Sequence, residues 1–271
     1  MTGRLPDFVV IGAPRSGTTA LAWYLRAHPD LFLAKEKEVR FFDQRYRLGV
    51  DWYMRRFADG RHRKVVGEAT PTYMYNPTAV ARMAEVIPEA RLLAILRAPV
   101  DRAYSHYWMM RSLGMESQEF EEALDEEEAG LRPPGSPLAY VDSGRYHRYL
   151  EEVCARFPKG ALRVLIFEDL VRDPEAVYRQ TCQFLGIDER LALPRAGRRV
   201  NGAVTYRSQA LRRVSKALPT MPNRIVARLN ARPFEYPPLD QHLRRRLTEE
   251  FANDNAALSS WLGRSISAWS A

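Results

Sequence analysis

The sequence predicts an α/β protein in which a central, mostly parallel sheet is flanked by helices. Apolar runs typical of strands alternate with segments of helical periodicity along the chain. One run, Arg91–Leu96, is apolar after its first residue, as expected of a strand in the middle of a parallel sheet. With 271 residues, 46% of them hydrophobic, the chain can bury one substantial core, so we predict a single domain over residues 1–271.

The individual elements follow from apolar runs, helical periodicity and capping residues. Strands are predicted over 8–12, 65–69, 91–96 and 162–167, and residues 31–34 form a further short apolar run. Helices are predicted over 18–27, 77–87, 101–113, 116–128, 145–157, 174–185, 240–251 and 253–262. Asn76 and Asp173 are the expected N-caps of two of these helices, and Gly186 is the expected C-terminal stop. Residues 131–144, with three prolines and two glycines, are predicted to form a loop.

The most informative stretch is the junction between the first strand and the first helix, where the apolar run ends at Gly12 and a helix begins after Gly17. Such a loop turns backbone N–H groups toward one point, and the helix adds unpaired donors and the positive end of its dipole. The two glycines are expected to permit backbone angles and a close ligand approach. The polar side chains of the junction are Arg15, Ser16, Thr18 and Thr19. The pattern predicts a phosphate-binding loop.

Two features distinguish this loop from that of a nucleotide triphosphatase. The spacing of Gly12 and Gly17 fits G-x-x-x-x-G-K-[ST], but Thr18 stands where the lysine is expected. The central strand ends at Arg97, where a triphosphatase would carry an aspartate for magnesium. A P-loop small-molecule kinase is therefore the weaker of two enzymatic interpretations, and it stays open.

The charge of the chain points to anionic ligands. The formal net charge is +8, and nearly all of it comes from arginine, which suits bidentate phosphate or carboxylate binding. The basic residues are dispersed and no nucleic-acid-reading motif is visible, so no nucleic-acid partner is expected. A non-catalytic module that binds anionic glycans is a second alternative.

Three further expectations concern location and the thiols. No stretch is long and apolar enough to span a bilayer, and the N-terminus lacks a signal-peptide pattern, which predicts a cytoplasmic protein. The arginine-rich region 195–232 contains a basic amphipathic segment, 208–218, for which we favour a solvated helix over peripheral membrane contact. Cys154 and Cys182 lie among apolar neighbours and are expected to be buried free thiols.

Three separated motifs together resemble the sulfotransferase family that uses 3′-phosphoadenosine 5′-phosphosulfate, nearest to its heparan sulfate N- and 3-O-sulfotransferase branch. The motifs are Gly12-Ala-Pro-Arg-Ser-Gly-Thr-Thr19, Lys37-Glu-Val-Arg-Phe-Phe-Asp43 and Arg97-Ala-Pro-Val-Asp-Arg-Ala-Tyr-Ser105. Further similar stretches are Asp51-Trp-Tyr53, Gly67-Glu-Ala-Thr-Pro71, Ser143-Gly-Arg-Tyr146 and Phe184-Leu-Gly186. The order and spacing of the set, over about residues 8 to 190, make the resemblance specific.

The resemblance implies a domain like that of the P-loop nucleotide kinases and in-line transfer of a sulfuryl group to a hydroxyl or amine. Glu38 would be the general base and Arg15 would stabilise the leaving phosphosulfate. Implied donor-binding residues are Arg15, Ser16, Gly17, Thr18, Thr19, Arg97, Ser105 and Tyr146, with Arg198, Arg199 and Arg207 as the counterpart of a basic nucleotide loop. Implied acceptor-binding residues are Arg40, Asp43 and Glu68. No metal is expected.

The sequence departs from that branch at three positions, two of which, Ala69 and Arg40, border the acceptor in the family. Arg15 replaces the frequent lysine of the loop, Ala69 stands where lysine often follows the glutamate, and Arg40 replaces a histidine or glutamine. The nucleotide side of the resemblance is unaffected. The acceptor is therefore left open as a carbohydrate, a lipid or a small metabolite.

Overall fold

The computed structural model describes residues 3–191, 193, 204–206, 231–233, 235–266 and 269. Arg198, Arg199, Arg207 and the segment 208–218 lie outside the described residues. Across the described parts of the chain, no helix combines the length and the apolar character needed to cross a membrane.

The centre of the fold is a parallel sheet of five strands in the order β2-β3-β1-β4-β5. The strands are β1 (Phe8–Gly12), β2 (Leu31–Leu33), β3 (Val65–Ala69), β4 (Arg91–Leu96) and β5 (Leu162–Ile166). The register places Val9 of β1 beside Glu68 on one side and Leu92 on the other. A separate antiparallel pair consists of β6 (Val204–Tyr206) and β7 (Ala231–Pro233).

Helices cover both faces of the parallel sheet. They are α1 (Thr18–Arg26), α2 (Val50–Met54), α3 (Pro77–Val86), α4 (Pro99–Ser112), α5 (Phe120–Glu128), α6 (Tyr146–Cys154), α7 (Phe167–Arg172), α8 (Pro174–Leu185), α9 (Gln241–Glu250) and α10 (Ala252–Leu262). Alternate residues of β1 enter opposite cores: Val9 packs with one hydrophobic cluster, and Phe8 and Val10 pack with the other. A strand buried on both faces explains why the run contains no polar residue.

The predicted fold class and most predicted elements are confirmed. Asn76 caps α3 through a bond from the Ala79 amide, and Asp173 caps α8 in the same way with Ala176. Gly186 ends α8 in the left-handed conformation.

Three predictions about local structure are corrected. Phe167 begins the short helix α7 instead of ending β5, because Glu168 and Asp169 favour a helix N-terminus. Helix α5 starts at Phe120, since Glu119 and Glu122 form a capping box there. Cys154 is exposed, whereas Cys182 is buried as expected.

The topology gathers the predicted site residues at one edge of the sheet. The carboxyl ends of β1, β3 and β4 lead into the loop before α1, into Thr70 and into Arg97. After β1 the chain first forms β2 and β3 on one side of this strand and then β4 and β5 on the other side. Ligands of open α/β sheets bind at such a point, outside the carboxyl ends of the strands.

Candidate functional site

The loop after β1 presents free backbone donors. Gly17 is the N-cap of α1, with a φ of 91°, and no side chain caps the helix. Within the described part of the chain, the amides of residues 17–20 have no acceptor, and the first turn contains no acidic residue. Such a helix N-terminus attracts an anion through these N–H groups and through the helix dipole.

Two arginines flank these donors. The Nε of Arg15 donates to the Ser105 hydroxyl at 3.0 Å, which joins the loop to α4. The guanidinium of Arg97 approaches the carbonyl oxygen of Arg15 at 3.5 Å and lies over the Phe167 ring, 5.1 Å from its centroid. Within the described ranges, neither arginine forms an ion pair with a carboxylate. The two positive charges are therefore available to a bound anion.

Arg15 is half-buried at the tip of the loop. Burial lowers the pKa of Arg15 below its ordinary value, the Tyr236 phenol opposes this shift, and the positive charge of Arg97 adds to it. Arg15 also adopts a φ of 69° at the tip of the loop, a conformation that L-residues seldom adopt. A half-buried guanidinium next to a second one raises the electrostatic attraction of this pocket for anions.

Ser16 and Tyr146 lie behind the cations. Ser16 is fully buried, and its Oγ makes no hydrogen bond of good geometry to a described residue, although it lies near the Tyr146 hydroxyl. Tyr146 is also buried, and its hydroxyl donates to the carbonyl of Arg97 at 2.8 Å. The structure thus places Tyr146 as a support for Arg97. The unsatisfied Ser16 hydroxyl and the free amides fit a phosphate or sulfate group.

The two loop glycines differ in what they require. The φ of Gly17 is positive, and a Cβ there would meet the Phe167 ring at 2.6 Å. Gly12 does not adopt a positive φ. Its restriction is steric, since a Cβ would meet the sulfur of Met74 at 1.9 Å.

Phe167 and Glu168 are part of the site although the sequence did not indicate them. Phe167 contacts both Arg97 and the Gly17 position, and Glu168 accepts the Ala98 amide at 3.0 Å and the Trp269 indole N–H at 3.0 Å. Their position directly after β5, at the carboxyl edge of the sheet, was the signal that could have revealed them.

A shallow cleft runs from the start of α1 to the segment that precedes Glu38. Its lining residues include Thr18, Thr19, Glu36, Lys37, Ala69 and Pro71. Glu36 is tied to Arg45 at 2.6 Å, whereas Glu38, which is half-buried, makes no hydrogen bond or ion pair with any residue that the structure describes. Glu38 adopts a φ of 58°. Glu38 therefore follows directly after Lys37, a residue of the cleft wall.

Arg40 and Asp43 pair with each other. The guanidinium of Arg40 lies 3.1 Å from Oδ2 of Asp43, which also accepts from the Thr72 hydroxyl at 3.0 Å. Oδ1 of Asp43 is buried and lacks a hydrogen-bond partner among the described residues. The side chain of Arg40 is 31% exposed and that of Asp43 only 6%. The charge of Arg40 is thus compensated within the protein.

Glu68 does not lie where an acceptor-binding residue would. Its side chain is fully buried on β3, and its carboxylate accepts from the hydroxyls of Tyr53 (2.7 Å), Thr70 (2.6 Å) and Tyr73 (3.1 Å). Burial raises the pKa of Glu68 to about 7, although the three hydroxyl donors act in the opposite direction. The expectation that Glu68 contacts the acceptor is corrected on this ground, since it has no exposed surface.

This geometry agrees with a comparison of the chain with known protein families. The family model described as "Sulfotransferase domain" matches residues 5–197. The chain belongs to the sulfotransferase domain family. The match covers β1 to α8, and therefore the residues of the site described above except Tyr236 and Trp269.

Curated relatives of this sulfotransferase domain include two with extended matches. A heparan sulfate glucosamine 3-O-sulfotransferase 3A1 from Mus musculus is 33% identical over 188 residues, which cover 68% of this chain and 46% of the relative. A membrane-associated sulfotransferase, kil1, from Dictyostelium discoideum is 37% identical over 135 residues, which cover 47% of this chain and 29% of the relative. The chain spans less than half the length of either relative.

A solved structure supports the predicted fold. The crystal structure of a sulfotransferase from Alicyclobacillus acidocaldarius superimposes with a TM-score of 0.75 and 28% sequence identity, and the match covers 98% of this chain and 99% of that one. The sulfotransferase fold predicted from the motifs is therefore confirmed.

Proposed function

We propose that this protein transfers a sulfuryl group from 3′-phosphoadenosine 5′-phosphosulfate to a hydroxyl or amine acceptor. The observation that supports this function best is the pair of arginines, Arg15 and Arg97, which lack carboxylate partners among the described residues and flank the free amides of residues 17–20. Membership of the sulfotransferase domain family adds to it.

The donor nucleotide carries anionic groups at two ends, and the site offers cations and donors in two places. Arg15, Ser16, Gly17, Thr18 and Thr19 would bind the 5′-phosphosulfate, and Arg97 with Ser105 would bind the 3′-phosphate. The bond between Arg15 and Ser105 supports one continuous pocket, because it links the two groups of residues. Arg198, Arg199 and Arg207 stay predicted contributors from outside the described residues.

In the proposed reaction, an acceptor oxygen or nitrogen attacks sulfur in line and adenosine 3′,5′-bisphosphate leaves. The donor supplies the activated sulfuryl group. Glu38 would take the acceptor proton as the new S–O or S–N bond forms, and Arg15 would balance the negative charge that develops on the bridging oxygen. The free carboxylate of Glu38 and the positive charge of Arg15 support these roles. We expect no metal to take part, which stays a prediction.

The acceptor is proposed by class only. The 3-O-sulfotransferase relative is named for heparan sulfate glucosamine, which makes a carbohydrate hydroxyl one candidate. The charges of Arg40 and Asp43 compensate each other, and Ala69 stands on the cleft wall where related enzymes often have lysine. A lipid or small-metabolite hydroxyl is therefore a candidate of equal standing.

We propose a cytoplasmic location for the protein. Peripheral membrane contact through residues 208–218 stays a hypothesis about a segment that the structure does not describe.

Calorimetry separates this function from the kinase alternative. The purified protein should bind adenosine 3′,5′-bisphosphate, and ATP with magnesium should bind more weakly, because the second phosphate on the ribose is the group that Arg97 and Ser105 are proposed to bind. Binding of ATP with magnesium in the absence of any affinity for the bisphosphate would reject the proposal. Incubation with ³⁵S-labelled donor and a lysate of the producing cell should then identify the labelled product.

A further inference from the structure

The segment that carries Glu38, residues 38–43, has a strained backbone that needs an external support. Glu38 and Arg40 both lie in the left-handed region, with φ values of 58° and 54°. Such a conformation costs on the order of 1 kcal/mol or more per residue and persists only where the surroundings impose it. The buried side chains of Val39, Phe41 and Phe42 hold the segment against the hydrophobic core, but apolar packing does not fix the direction in which its amide groups point.

Two amides of this segment bond to hydroxyl groups. The N–H of Arg40 donates to the Thr70 hydroxyl at 3.2 Å, and the N–H of Phe42 donates to the Tyr73 hydroxyl at 3.4 Å. Both hydroxyls then donate to Glu68, Thr70 to Oε2 at 2.6 Å and Tyr73 to Oε1 at 3.1 Å. The result is two parallel chains of hydrogen bonds that begin on the backbone beside Glu38 and end on one carboxylate.

The direction of these chains follows from the chemistry of the carboxylate. Above about pH 7, where Glu68 is ionised, its carboxylate only accepts, so each hydroxyl must turn its hydrogen toward Glu68 and a lone pair toward the segment. A hydroxyl in this orientation is a ready acceptor for a backbone N–H, and linked hydrogen bonds polarise one another. Glu68 is therefore connected to the segment although it touches neither Glu38 nor solvent.

We propose that Glu68 is a positioning residue for the transfer reaction, which orients the hydroxyls of Thr70 and Tyr73 so that they bind the amides of Arg40 and Phe42 and fix the backbone that carries Glu38. This inference rests on the proposed function for its link to catalysis. The relay itself depends only on the geometry of the protein.

The third hydroxyl bonded to Glu68 provides a matched control. Tyr53 donates to Oε1 at 2.7 Å, but no amide of the segment donates to Tyr53, whose ring instead stacks on Phe41 with centroids 4.4 Å apart. Tyr53→Phe removes a bond to the same carboxylate and keeps the ring. It should weaken folding about as much as Tyr73→Phe without releasing an amide of the segment.

The test is amide hydrogen exchange of residues 36–45 in the full chain, measured for Thr70→Val, Thr70→Ser, Tyr73→Phe, Tyr53→Phe and Glu68→Gln. We expect Thr70→Val to speed exchange at Arg40, and Tyr73→Phe at Phe42, by about tenfold, since each loses one hydrogen bond. Thr70→Ser keeps the hydroxyl and should therefore exchange at the wild-type rate. Tyr53→Phe should change the exchange rate of either amide by less than about twofold. Glu68→Gln should speed exchange at one of the two amides at least, because Thr70 and Tyr73 donate to different carboxylate oxygens, and in glutamine one of these is replaced by an NH2 group that only donates.

Transfer kinetics with ³⁵S-labelled donor add the readout that ties the relay to Glu38. Thr70→Val and Tyr73→Phe should lower kcat by about tenfold with an unchanged affinity for adenosine 3′,5′-bisphosphate, and Thr70→Ser should recover kcat. Equal exchange rates in Tyr53→Phe and Tyr73→Phe, or wild-type rates at Arg40 and Phe42 in all variants, would overturn the relay. Lack of bisphosphate binding by the wild-type protein would instead reject the proposed function and leave the exchange result standing.

Discussion

The donor half and the acceptor half of the proposed site use charge in opposite ways. In the donor half, Arg15 and Arg97 bond to a hydroxyl and a carbonyl, and no carboxylate among the described residues neutralises them. In the acceptor half, Arg40 pairs with Asp43, and Glu36 pairs with Arg45. Glu38 is the carboxylate of this half for which the described residues offer no partner.

This difference indicates which step each half serves. A cation that has no carboxylate partner within the protein does not have to break an ion pair when an anion binds. The donor half is therefore suited to binding the donor tightly. Paired charges contribute little to affinity, but they fix the orientation of the groups that carry them. The comparison therefore predicts that substitutions in the donor half change binding and that substitutions in the acceptor half change turnover.

The largest effect is expected for Glu38→Gln. It should lower kcat by about 10² to 10⁴-fold, because general-base catalysis is lost while the size of the side chain is kept. The affinity for adenosine 3′,5′-bisphosphate, measured by calorimetry, should change by less than about twofold, since neither arginine is altered.

Glu36→Gln is the matched control for that experiment. Glu36 lines the same cleft two residues away, but its carboxylate is bonded to Arg45 at 2.6 Å and lies 3.9 Å from Arg56. Its substitution should leave kcat within about tenfold of the wild-type value, the range of a lost partly exposed ion pair. Equal losses in both variants would mean that the base is not Glu38.

Arg97→Ala should weaken the affinity for adenosine 3′,5′-bisphosphate by about 10- to 100-fold, because hydrogen bonds to a charged group contribute about 1.5–3 kcal/mol. At saturating donor, kcat should change far less. The control is Arg163→Ala. Arg163 is exposed on β5, and its guanidinium lies over the Phe184 ring, 5.5 Å from the centroid, much as Arg97 lies over Phe167. A drop in kcat at saturating donor that matches the drop in affinity would break the division between the two halves.

The donor half was more predictable from sequence than the acceptor half for a physical reason. A strand, a glycine-containing loop and a helix N-terminus are contiguous, so Gly12–Thr19 could be interpreted locally. The role of Glu68 depends on Tyr53 and Tyr73, which arrive from other elements and bury its carboxylate. Such non-local burial leaves no periodic signal in the chain. Tyr146 likewise belongs to a matching motif, but only the fold places it behind Arg97.

The buried carboxylate of Glu68 gives the acceptor half a distinctive pH dependence. Burial raises the pKa of Glu68 to about 7, with Asp43 adding to the rise and the hydroxyls of Thr70, Tyr53 and Tyr73 opposing it. The folded state therefore binds more protons than the unfolded state between the unfolded value of 4.5 and about pH 7. The contribution of Glu68 to stability is complete below pH 4.5 and is lost as the pH rises to about 7.

Urea unfolding of the wild-type protein and of Glu68→Gln should reveal this loss. The stability of the wild-type protein relative to the variant should fall by on the order of 2–3 kcal/mol between pH 5 and pH 8, and other titrating groups should cancel in the difference. Arg97→Ala, in the donor half, should show the pH dependence of the wild-type protein. A constant difference in the free energy of unfolding between the wild-type protein and Glu68→Gln across this range would show that burial does not raise the pKa of Glu68.

The smallest effect concerns the strain of the donor loop. Gly17→Ala should lower the free energy of unfolding by about 1–2 kcal/mol, because alanine disfavours a φ of 91°. Gly160→Ala, at a φ of 87° with no atom within 4 Å of the added Cβ, should show the same backbone cost alone. The new Cβ at residue 17 also meets Phe167, the ring on which Arg97 lies, so Gly17→Ala should weaken bisphosphate binding as well, whereas Gly160→Ala should not. Equal bisphosphate affinities in the two variants would mean that the Phe167 ring can shift without displacing Arg97. Loop strain and donor binding would then be independent.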